Sequence, residues 1–432
     1  MKNNKMLDRY YWRVRTHKLL KRLLKKRKRK KRRLSDTRFI LSREVHLDYF
    51  AQTVFLPRLT DKIRKKSCLE VKIPSVFSIY DNPKKVLSII ATISRMNERK
   101  SIKSLYIDHS KCRSNGLGAE ILLASAASCL DKVKSAKGTR FDVRGTYPDD
   151  EAISRMINSI GIVKEVNGRP RGLENIPNDK TLVFRKESIP KEVIDPSGGD
   201  KKNSVARSFI EYFDRCLDKA DRRLSKTGKQ RLNEYTGEIL DNAGRHSKTN
   251  MWHIYLYLDY TNDETLNVHI VVYSLGNTIY ENFLEKKDVD EVWKTQLAKY
   301  LELHKGKLPE SDLVTVMSMQ QSVTSNRDSD KSGGLGTVKF IQFFDEVSKE
   351  CNINSSCHPK MTIISGETQL KFDASMIMKE NDKGVLTIPF NQSGELTEEP
   401  DKRYVTNLGG HCFPGVLVEI NFPIRVDSEL MS

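Results

Sequence analysis

The chain has 432 residues, of which 38% are hydrophobic and 30% charged, with a net charge of +19. That length suggests about three domains, and the apolar content is enough for packed cores. No run of about 18 apolar residues occurs and no apolar core follows the basic N-terminus, so neither a membrane span nor a secretory leader is expected. The seven cysteines are scattered without a C-x-x-C pair, which argues against a disulfide framework or zinc module and fits a reducing cytoplasm.

Charge is concentrated at one end. Residues 1–34 hold 17 Lys/Arg against the single acid Asp8, a local charge of +16 that leaves +3 for the other 398 residues. Within this arm, Leu7, Tyr10, Tyr11, Val14, Leu19, Leu20, Leu23 and Leu24 recur at helical spacing, and residues 25–33 are all cationic. Such a block suits a polyanion, because each neutralised phosphate releases counterions. Nucleic acid, an anionic membrane surface and a solubilising role are the three readings of the arm. As a separate tail, its removal should leave the body folded.

Residues 35–66 carry no clear pattern and serve as a connector. From Leu69 strands and helices alternate: strands at LEVKIP, SLYID and TRFDVRG, and helices at 83–98, 116–133 and 149–163. This predicts a small α/β layer domain over 67–166. Residues 167–203, rich in Pro, Gly, Asn and Asp, read as a linker with one strand at TLVFR.

An α+β domain is expected over 204–425, followed by a short tail at 426–432. Helices from Ser204 and over 229–247 precede two alternating strands, WHIYLYLDY and TLNVHIVVYS, around a turn at 261–264. The chain continues through a helical and polar stretch, a glycine turn leading into a helix, and three strand-like runs, MTIISGETQLKF, GVLTIPF and PGVLVEINFPI.

The 229–247 helix places Glu238, Asn242 and His246 on one face, with Ile239 and Ala243 on the neighbouring, core-directed face beside Leu232 and Tyr235. The E-x-x-x-N-A-x-x-H-S spacing is followed by Ser274-Leu-Gly276-Asn-Thr278 at a strand end. The loop Ser332-Gly333-Gly334-Leu-Gly336-Thr337 comes later, at the start of a helix. This ordered set resembles the GHKL family of ATP-binding domains, of which gyrase, MutL, heat-shock chaperone and sensor histidine-kinase domains are members. The resemblance covers about half of the chain. It implies a two-layer α/β sandwich that binds ATP and Mg²⁺ between helices and sheet. By position, Glu238 would activate the attacking water, Asn242 would supply an oxygen to Mg²⁺, and Gly333, Gly334, Gly336 and Thr337 would form the phosphate loop. His246 and Ser247 match the end of the family's helix and are read as structural. Ser274, with Gly276, stands where the family carries an Asp for the adenine amine. A hydroxyl is a neutral and weaker acceptor than a carboxylate. Lys305, Lys307, Arg327 and Lys331 lie in the lid region before the glycine loop.

LYIDHS followed by GLGAEILL gives the first domain a resemblance to STAS domains, the fold of anti-sigma-factor antagonists. It implies a protein-docking module, with Ser110 or Ser114 as a phosphorylation site. Together the two resemblances imply an ATP-binding switch with slow hydrolysis, coupled to partner or nucleic-acid binding in bacterial regulation or defence. A degenerate scaffold that binds nucleic acid, and a protein kinase of the anti-sigma type, are the alternatives; the oligomeric state, homodimer included, stays open. Cys351, Cys357 and His358 fit no standard zinc spacing, and Gly409-Gly410-His411-Cys412 reads as a turn.

Overall fold

The computed structural model describes residues 11–12, 14–19, 21–22, 34–54, 67–162, 180–188, 201–220, 223–246, 251–261, 265–285, 293–320, 341–345, 358–373, 375–376, 379–380 and 386–425. The fold is mixed α/β, with parallel strand pairs in one part and an antiparallel sheet in another. The chain divides into two compact units. Met1–Thr181, Ile189–Pro196 and Gly410–Pro414 form the first; Leu182–Ser188, Ser197–Gly409 and Gly415–Ser432 form the second.

The first unit begins with helical residues at 11–12, 14–19 and 21–22. Helix α1 (Leu34–Phe50) follows, in the region that showed no pattern in the sequence. Strands β1 (Cys68–Lys72), β3 (Ser104–Asp108) and β5 (Asp142–Thr146) form a parallel sheet in the order β1-β3-β5, and β2 (Val76–Phe77) pairs in parallel with β4 (Ser114–Asn115). Helix α2 (Pro83–Arg95) opens with a proline in its first turn, where no N–H is needed, and buries Val86, Ile89, Ile90 and Ile93. Helix α3 (Leu117–Ala136) is buried on every side from Leu117 to Leu130. Helix α4 (Glu151–Ser159) is capped by Asp150, whose carboxylate accepts from Ile153 N at 2.9 Å.

The described residues of the basic arm pack on the first unit. Trp12, Thr16 and Leu19, spaced i, i+4, i+7, are buried. Arg15 Nε donates to Asp48 Oδ1 on α1 at 2.9 Å, Arg15 also pairs with Glu98, and Gln52 donates to Thr16 at 3.3 Å. Removing residues 1–34 would uncover the surface that Trp12 and Leu19 bury, worth roughly 1.5–3 kcal/mol for each side chain, and leave Asp48 without its cation. The described residues of the arm are thus packed on the first unit, and the melt of a protein lacking residues 1–34 tests the expectation that the body folds without them.

In the second unit seven strands form one sheet in the order β13-β10-β9-β14-β8-β7-β6. They are β6 (Thr181–Glu187), β7 (Met251–Asp259), β8 (Thr265–Leu275), β9 (Lys360–Gly366), β10 (Thr368–Asp373), β13 (Val405–Asn407) and β14 (Phe413–Arg425). The strand expected inside the linker is thus β6, an edge of this sheet. MTIISGETQLKF, expected as one run, is the hairpin β9–β10, which turns at Gly366 with φ of 62°. Among the described residues, GVLTIPF contributes the two-residue strand β12 (Leu386–Thr387), paired with β11 (Lys379–Glu380).

Helices α5 (Lys201–Leu217) and α6 (Lys226–His246) share one core with alternate residues of the sheet: Trp252, Ile254, Leu256 and Leu258 on β7, and Leu266, Val268, Ile270 and Val272 on β8. After β8 come α7 (Ile279–Leu284), a π-helical turn at Trp293–Leu297, α8 (Ala298–Leu303) and α9 (Glu310–Ser318). Asp312, fully buried, accepts from Thr368 Oγ1 at 2.5 Å and Asn407 Nδ2 at 3.1 Å, tying α9 to β10 and β13. Gln320 completes a reciprocal pair with the Ile388 backbone, at 2.8 Å each way.

Asp48 generates a pH test. Its side chain is 1% exposed and Oδ2 has no hydrogen-bond partner. Burial pushes the carboxyl up to about 7 despite Arg15, which remains charged and is 28% exposed. The folded value lies above the unfolded one, so this group's stabilising contribution is complete below about pH 4 and is lost as pH rises through about 7. Asp48→Asn should therefore gain stability over the parent between pH 5 and pH 8, read as a widening difference in melting temperature. A difference that stays constant over this range would refute the assignment.

Candidate functional site

Helix α6 meets the sheet through Leu232, Tyr235, Thr236 and Leu240, all buried, with Ile239 and Ala243 packed at the margin. The Tyr235 ring lies 5.7 Å from Phe343, so α6 also touches the helical residues 341–345. Glu238 and Asn242, one turn apart, are half-buried at the edge of this contact. The Asn242 side chain makes no hydrogen bond with any described residue.

The register fixes where this helix ends. α6 stops at His246, and β7 starts at Met251, opposite Leu275, with Trp252 opposite Ser274. The C-terminal half of α6 and the end of β8 therefore share one end of the unit. Ser274 has the parity of Val268, Ile270 and Val272, which places it on the helix-covered face. It is 3% exposed, and its hydroxyl bonds no described side chain.

Three further elements converge there. Gly415, at the start of β14 with φ of 141°, pairs with Leu275, and a Cβ at this position would stand 2.0 Å from Ser274 O. Ser365 at the end of β9 donates to Gly415 O at 3.0 Å and accepts from Ile279 N at 2.8 Å. Thr278 closes α7 with a capping box: its hydroxyl accepts from Glu281 N while Glu281 accepts from Thr278 N, both at 3.1 Å. Gly276 is buried with φ of 148°, which a residue with a side chain adopts only under strain.

Of the residues carried by the sequence pattern, Glu238, Asn242, Ser274 and Gly276 are thus on two adjoining elements at one end. Gly333, Gly334, Gly336 and Thr337 lie outside the described residues, as do Ser247, Arg327, Lys331, Cys351 and Cys357. Lys305 and Lys307 are exposed, and Lys305 pairs with Glu302 at 3.2 Å. His358 is exposed, and among the described residues no cluster of three or more His, Cys, Asp or Glu could hold a metal. Gly409 and Gly410, with φ of 54° and 92°, form the expected turn. Gly415, Ser365 and the Thr278–Glu281 box escaped the sequence reading. T-x-x-E before a helix was the visible signal for the box, whereas nothing local marks Ser365.

In the first unit, Ser110 and Ser114 are both exposed. Asp108, at the end of β3, accepts from Thr146 Oγ1 at 2.6 Å and from Ser110 N at 3.0 Å, and these bonds hold its carboxyl down at about 2. Beneath this loop Glu120 is fully buried. Burial opposes its charge, but His109 at 3.4 Å, Ile162 N at 3.0 Å and Asn115 at 3.3 Å outweigh it and hold the carboxyl below the usual range.

Compared with known families, curated proteins and solved structures, the chain matches no family model, no curated protein and no structure.

The convergence at Ser274 depends on residue 415 lacking a side chain. Gly415→Ala should cost on the order of 3 kcal/mol through strain and overlap, seen as a lower melting temperature for the second unit. An unchanged melt would show that β14 can withdraw from Ser274 freely.

Proposed function

We propose that the second unit is an ATP-binding switch of the GHKL type, a two-layer α/β sandwich in which Mg²⁺ and ATP lie between α6 and the sheet. The supporting observation is that Asn242 and Ser274, each with a side chain that bonds no other described side chain, reach the same end of one sheet face. In this reading Asn242 offers its carbonyl oxygen to Mg²⁺, which is the donor a hard cation takes, with phosphates and waters completing the octahedron. Glu238 orients the attacking water and accepts its proton. Gly333, Gly334, Gly336 and Thr337 would wrap the phosphates through backbone N–H groups. Nucleotide occupancy then changes how the STAS-like first unit is offered to a protein partner.

Substitutions separate these roles. Asn242→Ala should weaken Mg²⁺-dependent ATP binding, measured by titration with and without the metal. Glu238→Ala should keep binding and slow hydrolysis by about a hundredfold or more. A Glu238→Ala protein that turns over ATP at the parental rate would remove the catalytic role from that residue.

A second activity is favoured by the docked arm. His17, Lys18, Lys21 and Arg22 are exposed around the buried stripe of Trp12, Thr16 and Leu19, and lead in sequence to the cationic residues 25–33. This supports nucleic-acid binding through the phosphates, without base reading. Replacing Lys18, Lys21 and Arg22 by Glu should weaken binding to an arbitrary duplex and flatten its salt dependence by about one unit of slope for each phosphate that is no longer neutralised. These positions leave Arg15 in place, so circular dichroism should not change. Duplex affinity unaffected by all three replacements would exclude this face.

A further inference from the structure

The position that faces the base in the proposed site carries a hydroxyl inside an otherwise apolar row. Ser274 is paired in register with Trp252 on β7 and with Val416 on β14, and side chains at paired positions share a face. Trp252 is buried and Val416 packs against the same core. The neighbouring hydroxyl of Ser365 is already engaged, donating to Gly415 O and accepting from Ile279 N. Ser274, 3% exposed, keeps its own hydroxyl free of any described side chain. The Ser274 oxygen is not among the fully buried atoms that lack a partner, so it keeps a small solvent-reached area that a ligand group could take.

Resting on the nucleotide reading above, we infer that this site takes adenine and guanine nucleotides without strong preference, and that Ser274 is the residue responsible. Adenine presents an amine donor at its 6-position, and guanine presents a carbonyl acceptor there. A carboxylate only accepts, so it holds the amine and repels the carbonyl. A hydroxyl has one donor and two lone pairs on a rotor, and turns to suit either. No ionised side chain stands in the row to reinstate the choice. Trp252 is 4% exposed and Val416 packs on the same core, and neither carries an ionised group. Selectivity arises when a site's own polar group is left unpaired by the wrong ligand, and with Ser274 neither purine leaves it unpaired.

The test is a titration of the full chain with ATP, GTP and CTP in the presence of Mg²⁺. Dissociation constants for ATP and GTP within about tenfold of each other are expected, with CTP weaker than both. Ser274→Asp should retain ATP and weaken GTP by about tenfold or more, because two acceptors are then opposed. Ser274→Ala should weaken both purines by a similar factor. An ATP preference of about a hundredfold or more in the parent would overturn the inference. So would an unchanged ATP-to-GTP ratio in a folded Ser274→Asp protein. Either result leaves nucleotide binding itself standing. If no nucleotide binds at millimolar concentration, the nucleotide reading falls and this inference falls with it. The comparison in the parent needs no variant, so a Ser274→Asp protein that does not fold leaves the inference open to refutation.

Discussion

Gly415 has no Cβ, and β14 can therefore enter the sheet with its backbone against Ser274 O. The rest of that end of the second unit follows from this approach. Because β14 lies so close, Gly415 O is within reach of Ser365 Oγ, and Ser365 in turn holds the first N–H of α7. The α7 capping box then sets the path on which the chain leaves β8. Three strands and one helix are pinned at one corner, largely by backbone groups and short hydroxyls. Among the described residues, the side chains of Asn242 and Ser274 make no hydrogen bond at this corner.

The first unit solves a different problem, that of carboxylates without water. Glu120 remains ionised because it has an imidazole, a backbone N–H and an amide around it. Gly161 makes room for it: a Cβ there would sit 2.4 Å from Glu120 Oε1. Asp48 has only Arg15 and an unsatisfied second oxygen, so burial prevails and its carboxyl rises. The contrast is one of hydrogen-bond count, since a single cation seldom repays the desolvation of a buried carboxylate.

Periodicity revealed most of the elements that bury one face. The spacing of Val86, Ile89, Ile90 and Ile93 marked α2, and the alternation of WHIYLYLDY and TLNVHIVVYS marked β7 and β8. It failed where burial is not one-sided. Helix α1 buries Arg43, His46 and Asp48 along with Leu41, Val45 and Leu47, so no apolar stripe shows in its sequence. The β9–β10 turn was hidden because its two strands are joined through a single glycine and Glu367. At the candidate site, Glu238 and Asn242 were legible through their spacing on α6. Ser365 was not, because its role is created by β14, some fifty residues downstream, and no local pattern encodes a long-range hydrogen bond. The docking of Trp12 and Arg15 was hidden for a similar reason: the charge of the arm is visible in the sequence, but the burial of Trp12 and the Arg15–Asp48 pair depend on α1.

The segment Gly410–Pro414 belongs to the first unit, where His411 bridges Val54, Cys412 N donates to Thr53 O at 2.7 Å and His411 Nε2 lies 3.1 Å from Ser88 Oγ. These partners are made early in translation, and residues 410–414 more than two hundred residues after Thr181. At ordinary elongation rates the interval is roughly ten to fifty seconds. Vectorial synthesis thus leaves the N-terminal unit unfinished until residues 410–414 have emerged. Thr53 and Val54 lie about 360 residues before Cys412 and His411, so they wait roughly twenty to seventy seconds for their partners, and the first unit closes only as β14 of the second unit begins to emerge.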